Sequence, residues 1–291
     1  MYVSLAADLG IVITKFIAAI ATGSAAMISE GIHSVIDLVN QLLLLIGIKK
    51  SKRKPDARRP FGYGKEVYFW SFVVSLLLFS VGGCVSFYEG ILRFRRPISP
   101  GEVTWNYIVL AAAFIFISIS MLVTLKKFND QRGDLPFWRA VKNSKDPVVF
   151  ITLLGDFGDL AGLIIAFLGV YLTHLLHNPY YDATASMTIG MLMIIISLLL
   201  VRESRSLLMG EAAGKDTLRA VVKLTQDDSA ILKVKRHFSQ YMSPEEIILQ
   251  LSVIFKKGLT TDEITGAVKR IKENIQAKFP HIKQIFIEPG T

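Results

Sequence analysis

The sequence predicts a polytopic α-helical membrane protein with six transmembrane helices and a small C-terminal α+β domain. Three observations predict this class. The mean hydropathy is +0.45 and 52% of the residues are hydrophobic, which is too apolar for an ordinary soluble domain. The apolar residues gather in six windows of about 18 residues or more, and a helix of that length crosses a hydrocarbon core of about 30 Å. After about Ser204 the pattern changes to the shorter alternation of a soluble domain.

We number the apolar windows segments 1 to 6. They cover residues 5–22, 25–48, 68–92, 105–125, 148–174 and 182–201. A tight turn at 22–24 separates the first two, and Pro147 opens segment 5 at a first-turn position that suits proline. The sequence therefore predicts a membrane domain over residues 1–204 and a second domain over residues 205–291.

The second domain is predicted to have the element order αββαβ. Apolar residues alternate strictly in the second strand, and Thr260 with Glu263 forms a capping-box pattern before the second helix. The predicted elements are a helix over 215–226, strands over 231–241 and 247–255, a helix from 261 until Pro280 stops it, and a strand over 282–288. This is a small α+β arrangement of the ferredoxin-like type. Because its core is small, we expect it to gain stability by pairing with a second copy.

Positive charge is concentrated in two connections of the membrane domain. The net charge is +9, and eight Lys or Arg residues lie within 49–65 and six within 126–145, whereas the connection between segments 5 and 6 has none. Basic loops stay cytoplasmic, so both termini and the C-terminal domain are predicted to be cytoplasmic, with the inner (plasma) membrane as host. Arg93, Arg95 and Arg96 fall in an outer loop and weaken this rule without reversing it. The distribution favours lipid contact over nucleic acid as a partner.

Ionisable side chains stand at helical spacing inside segments 2 and 5. His33 and Asp37 are four residues apart, and Asp156 and Asp159 are three apart, so each pair projects from one helix face. A carboxylate in hydrocarbon costs about 3 kcal/mol on insertion scales, so something must compensate these groups. Histidine with carboxylates is a ligand set for a divalent cation. Glu30 lies on the same helix face as His33 and Asp37 but nearer the outer interface. We expect it to act as a ligand or as a gating group.

The donor set and the absence of an energy-coupling motif predict the mechanism. One nitrogen and three oxygen donors suit tetrahedral Zn²⁺, while a carboxylate-rich set shifts the preference toward Fe²⁺ or Mn²⁺. The sequence has no P-loop, so ATP is not the expected energy source. Exporting a dication against 100 mV costs about 4.6 kcal/mol, and each proton that moves inward releases about 2.3 kcal/mol of this energy. The same side chains can hold protons when the metal leaves. We therefore expect exchange of metal for protons at one site, with no resident cofactor.

Four motifs accompany these features. They are Ser24–Asp37 in segment 2, Arg59–Gly64 in the basic connection, Tyr181–Ala183 with Ser186 and Gly190 in segment 6, and Leu207–Ala212 after it. Together with the six segments and the α/β tail, they resemble the cation diffusion facilitator family, the zinc-transporter type of proton-coupled divalent-metal exporter. The resemblance covers nearly the whole chain.

The resemblance implies a homodimer of six-helix protomers, each with one transport site between segments 2 and 5. His33 and Asp37 match the family pattern in segment 2, and Asp156 matches its second position in segment 5. Thr152 stands where the family usually has the other ligand of segment 5, and Asp159, one turn from Asp156, could take its place. The implied metal ligands are therefore His33, Asp37, Asp156 and Asp159.

The predicted function is a secondary antiporter that exports a divalent cation, Zn²⁺ first and Fe²⁺ or Mn²⁺ as alternatives, from the cytoplasm in exchange for protons. Alternating access around the intramembrane site is the expected mechanism. One alternative is a metal-binding or scaffolding subunit that pairs with a transporter without carrying metal, and Thr152 is its best support. A membrane metalloenzyme is disfavoured because the chain has no HExxH helix; we expect no enzymatic turnover.

Overall fold

The computed structural model describes residues 9–10, 12–13, 16–17, 25–96, 103–132 and 145–290. The described residues of segment 1 are helical, and the rest of that predicted segment lies outside the described part, as does the 22–24 turn. Segments 2 to 6 form helices over Ala25–Ser51, Glu66–Arg95, Val103–Arg132, Pro147–Leu176 and Tyr180–Met209. Each helix extends beyond its apolar window by between one and eight residues at one or both ends.

Three of these helices are long and apolar enough to cross a membrane. They are the helices of segments 3, 5 and 6, each of 30 residues with a mean hydropathy of 1.9 to 2.3 over the most apolar window. At 1.5 Å per residue, such a helix is about 45 Å long, which exceeds a hydrocarbon core of about 30 Å. The chain is therefore a membrane protein with apolar transmembrane helices, as predicted.

The helix of segment 3 is not uniform. Its middle part, Leu78–Val85, has π-helical hydrogen bonding, with α-helix before and after it. The apolar window had predicted one regular helix, and hydropathy carries no information about which carbonyl each amide reaches. π-helical turns inside α-helices are rare and frequently lie at functional sites.

The membrane helices of segments 2, 3, 5 and 6 share one buried apolar cluster. Leu44, Val74 and Ile151 represent segments 2, 3 and 5, and Ile196 and Leu200 come from segment 6. Their relative exposure is 7% or less. The cluster includes residues of both segment 2 and segment 5, the two helices that carry the predicted ligands.

The residues after segment 6 fold as predicted in element order. A helix over Lys215–Gln226 precedes strands β1 (Ile231–Ser243) and β2 (Glu246–Phe255), and a helix over Thr261–Lys278 precedes strand β3 (Ile282–Pro289). The sheet has the order β1-β2-β3, antiparallel between the first pair and parallel between the second. The Thr260–Glu263 capping box is present. Alternate residues of β2 face a core that both helices cover.

Contact clustering divides the chain into two compact units. The first holds the membrane helices as far as Arg205, and the second holds residues from Ser206 together with Ser51–Lys65 and a short stretch before Pro147. Within the second unit, the ammonium of Lys145 lies 2.9 Å from a carboxylate oxygen of Glu211. Glu211 belongs to the motif that follows segment 6, so this ion pair explains part of that motif.

The basic connection Ser51–Lys65 packs on the sheet of the second unit. Gly64 approaches the backbone of Met242 and Ser243 so closely that an added Cβ would lie 2.9 Å from the Ser243 Cβ, and the Phe61 ring meets Phe286 edge to face at 6.5 Å. The hydroxyl of Tyr63 donates to Asp56 at 2.6 Å. This hydrogen bond, with backbone N–H donors, holds the pKa of Asp56 below its usual value. The Arg59–Gly64 motif therefore has a structural role.

Replacing Gly190 with valine is expected to destabilise the membrane domain. Gly190 of segment 6 lies against the backbone of Phe87 in segment 3, where an added Cβ would lie 2.6 Å from the Phe87 Cα. Overpacking of this kind costs typically about 1–3 kcal/mol. The thermal midpoint of the purified protein in detergent should fall, whereas Gly82→Ala, whose Cβ would meet nothing within 4 Å, should leave it near the wild-type value. Equal midpoints for Gly190→Val and wild type would contradict the close helix packing.

Candidate metal site in the membrane domain

One stripe of the segment 2 helix carries the polar groups of interest. His33, Asp37, Asn40 and Leu44 are spaced by four, three and four residues, so they stand on one face over three turns. Asp37 is half-buried, and Leu44 belongs to the apolar cluster shared with segment 5. The side chain of His33 and that of Glu30 lie outside the described part of the chain. The polar stripe thus continues directly into the buried face of segment 2.

Segments 2 and 5 carry their polar groups at matching depths. Counted from Lys49 and from Pro147, Asp37 and Asp159 each stand twelve residues in, and Asn40 and Asp156 each stand nine residues in. At 1.5 Å per residue these positions are about 18 Å and about 13.5 Å along the helices. Leu44 and Ile151, which both belong to the apolar cluster, stand five and four residues from the same reference residues. The acidic groups of both helices therefore stand at similar distances along their helices from Lys49 and Pro147.

Asp156 is half-buried and receives hydrogen bonds from segment 4. The hydroxyl of Ser120 lies 3.4 Å from both carboxylate oxygens, and the side chain of Thr124 also bonds this carboxyl group. Asp156 follows Leu154, a residue of the apolar cluster, by two positions, which is about 200° around a helix of 3.6 residues per turn. Its side chain therefore leaves segment 5 on the side of segment 4.

Thr152 has its hydroxyl engaged locally. The hydroxyl donates to the backbone carbonyl of Val148 at 2.8 Å, which is a common helical pattern for threonine. Asp159 is half-buried one turn beyond Asp156. Because the Thr152 hydroxyl already donates to Val148, Asp159 is favoured over Thr152 as the further oxygen donor of segment 5.

The described side chains do not include a cluster of three or more metal-ligating groups. That search excludes His33, since its side chain is not described. The structure places Leu44 of segment 2 and Ile151 of segment 5 in one apolar cluster, and it turns the Asp156 side chain toward segment 4. Whether His33, Asp37, Asp156 and Asp159 meet around one ion stays a prediction.

Sequence reasoning missed three polar residues on the helices of segments 2 and 4. Ser120 and Thr124 are neutral residues in a helix that looked uniformly apolar, and their spacing of four was the available signal. Asn40 has a relative exposure of only 7%, and its position three residues after Asp37 was a signal too. Hydroxyls and amides are common enough in transmembrane helices that spacing alone does not assign them to a site.

An apolar groove in the described part of the membrane domain is poorly suited to a cation. It has a volume of about 760 Å³ and lies between segments 4 and 5. Its described lining is apolar or aromatic, with Phe114, Ile115, Ile164, Phe167 and Tyr171 as its larger members. A divalent cation needs oxygen, nitrogen or sulfur donors, which the apolar lining of this groove does not offer.

Comparison with known proteins identifies the class to which this arrangement belongs. The model of the cation efflux transmembrane domain matches residues 1–209. The chain therefore belongs to the cation efflux, or cation diffusion facilitator, family of membrane transporters, in agreement with the resemblance found in the sequence.

Several relatives are similar over most of the chain. It is 32% identical over 219 residues to the human proton-coupled zinc antiporter SLC30A9, mitochondrial, covering 75% of this chain and 39% of that protein. It is 27% identical to the metal tolerance protein C4 of Arabidopsis thaliana, with 80% of this chain and 52% of that protein covered. It is 26% identical to the manganese efflux system protein MneP of Bacillus subtilis, with 98% of this chain and 93% of that protein covered. The chain thus spans about two fifths of the length of the SLC30A9 proteins that it matches.

Replacing Ser120 with alanine is expected to weaken cation transport. The variant loses the hydroxyl that donates to the Asp156 carboxylate and helps to orient it. At 3.4 Å this hydrogen bond is long, so we expect a loss of about 1 kcal/mol, or about fivefold in the apparent affinity for the cation. Cation uptake by proteoliposomes at several metal concentrations measures this. The control is Ser118→Ala, two positions away on the same helix. Equal effects of the two variants would contradict a role for Ser120.

Proposed function

We propose that this chain is a secondary antiporter that exports a divalent cation from the cytoplasm in exchange for protons. The observation that carries the proposal is the matched depth of Asp37, Asp156 and Asp159 on two helices that share a buried apolar cluster. Carboxylates in the middle of membrane helices are costly and face a bundle interior or a water-filled path. Membership in the cation efflux family supports a cation as the occupant.

The proposed ligands are His33, Asp37, Asp156 and Asp159. Two come from segment 2 and two from segment 5. Movement of one helix relative to the other would therefore change the side of the membrane to which the site is exposed. The hydroxyl of Ser120 steadies Asp156 from segment 4. Thr152 is left out, because its hydroxyl already donates to the backbone.

The proposed cation is Zn²⁺, with Fe²⁺ and Mn²⁺ as alternatives. A histidine nitrogen with three carboxylate oxygens suits a four-coordinate Zn²⁺, whereas oxygen-rich sites favour Mn²⁺. Similarity to proteins named a zinc antiporter and a manganese efflux protein supports both ions as test substrates.

Protons supply the proposed driving force. Metal binding requires neutral histidine and ionised carboxylates, so metal release lets the same groups take up protons. Each inward proton returns about 2.3 kcal/mol per 100 mV, against about 4.6 for the outward dication. Alternating exposure of one site to the two sides of the membrane couples the two flows. No chemical turnover beyond transport is proposed.

The architecture that we propose has six transmembrane helices over residues 1–204 and a cytoplasmic ferredoxin-like domain over 205–291. Helices of 27 and 30 residues in segments 2 and 4, and helical residues in segment 1, support the count of six. The basic connections support cytoplasmic termini in an inner or plasma membrane. We propose a homodimer in which the small C-terminal domain pairs with its copy.

A scaffolding subunit that binds metal without carrying it is the second candidate. Thr152 favours it, because the chain lacks the usual first ligand of segment 5. A wild-type protein that binds the cation but transports none would select this alternative.

Removing the proposed carboxylate ligands is expected to abolish transport. Asp37→Asn, Asp156→Asn and Asp159→Asn each remove a charge that the dication needs, and we expect uptake of Zn²⁺ by proteoliposomes to fall at least tenfold for the first two. The control is Thr152→Val, which keeps the shape of the side chain and should stay within about twofold of wild type. Wild-type uptake by Asp37→Asn and Asp156→Asn would refute the site.

Imposing a pH gradient is expected to change the rate of metal uptake. Vesicles with an acidic interior provide outward proton flow, which should accelerate Zn²⁺ uptake several-fold relative to vesicles without a gradient. An ionophore that collapses the gradient should remove the acceleration. Identical initial rates with acidic, neutral and alkaline interiors would rule out proton exchange.

A further inference from the structure

Asn40 carries a buried amide in the described part of the membrane domain. Its relative exposure is 7%. Neither its carboxamide oxygen nor its carboxamide nitrogen has a hydrogen-bond partner among the described residues. A buried amide without a partner lowers stability, and such groups in native proteins call for an explanation such as an ion or a functional role.

The position of Asn40 connects it with the proposed transport site. It stands one turn from Asp37 on the same stripe. A cation bound by Asp37 would lie within about one helical turn of the Asn40 side chain. On its other side, Leu43 and Leu44 belong to the apolar cluster, so Asn40 marks the place where the buried face of segment 2 changes from apolar to polar.

We propose that Asn40 binds the transported cation, with its side-chain Oδ1 as a neutral oxygen ligand next to Asp37. The inference rests on the proposed function, since it assigns one more donor to the same site. An amide carbonyl adds an oxygen without adding a charge, so it tightens binding of the dication and leaves the number of groups that can hold protons unchanged. Carbonyl oxygens suit Mn²⁺ better than Zn²⁺, so this ligand broadens the site toward the harder cation.

Binding to the purified full-length protein in detergent tests the proposal, with Mn²⁺ and Zn²⁺ as probes. Asn40→Leu keeps the volume and removes both polar atoms, and it should weaken Mn²⁺ binding at least tenfold and Zn²⁺ binding less. Asn40→Asp keeps an oxygen donor at the same place and should retain or strengthen binding of both ions. If Asn40→Asp binds as weakly as Asn40→Leu, or if Asn40→Leu binds Mn²⁺ within about twofold of wild type, the proposal is overturned.

A stability measurement separates ligation from a structural role. The metal-free Asn40→Leu protein should melt at or above the wild-type temperature, because it loses a buried amide that has no described partner. A large fall in the melting temperature of the metal-free protein would show a structural hydrogen bond and would overturn the proposal.

The control is Ser71→Ala in segment 3, since the Ser71 hydroxyl is also buried without a described partner. It should bind both ions as wild type does. Asp37→Asn in the same assay distinguishes the two proposals. If it binds as wild type, the proposed site fails as a whole, whereas loss in Asp37→Asn with wild-type binding in Asn40→Leu removes only Asn40.

Discussion

The cost of placing charge in hydrocarbon is the constraint on which the membrane domain depends. An aspartate at mid-membrane costs about 3 kcal/mol or more, and three such residues stand well inside the helices of segments 2 and 5. The chain meets this cost partly with polar neighbours. Ser120 donates to Asp156, and all three carboxylates are half-buried rather than fully exposed. A bound dication would compensate the remaining charge, which links stability to the transported substrate.

The apolar cluster of Leu44, Val74, Ile151, Ile196 and Leu200 complements this constraint. It holds four helices together between the basic connections and the level of the carboxylates. Dense apolar packing excludes water, so polar groups just beyond it experience a less screened electrostatic environment. The π-helical turns Leu78–Val85 lie in one of the four helices. Rare hydrogen-bonding geometry of this kind gives a helix a place to change its register.

The neutral polar residues around the site have a different role from the charged ones. Ser120, Thr124 and Asn40 hold no net charge, so they cost less to bury and would not compete for the protons that the proposed site exchanges for metal. They can orient a carboxylate or contribute an oxygen to the cation. The choice between Zn²⁺ and Mn²⁺ then depends on how many such oxygens reach the ion, and on the His33 nitrogen.

The sequence by itself determined much of this protein. Hydropathy located the helices of segments 2 to 6, and strict alternation with a capping box located the strands and helices of the C-terminal domain, because these signals depend only on residues near one another in the chain. Charge at membrane depth singled out His33, Asp37, Asp156 and Asp159 as candidate ligands. Only the tertiary structure decided that segment 3 contains π-helical turns, that Ser120 of segment 4 bonds Asp156, that Asn40 is buried and that the Arg59–Gly64 motif packs on the sheet. Each of these features depends on which faces of elements distant in sequence pack together. The spacing of residues along a helix shows which side chains share a face, but it does not show which other element packs against that face.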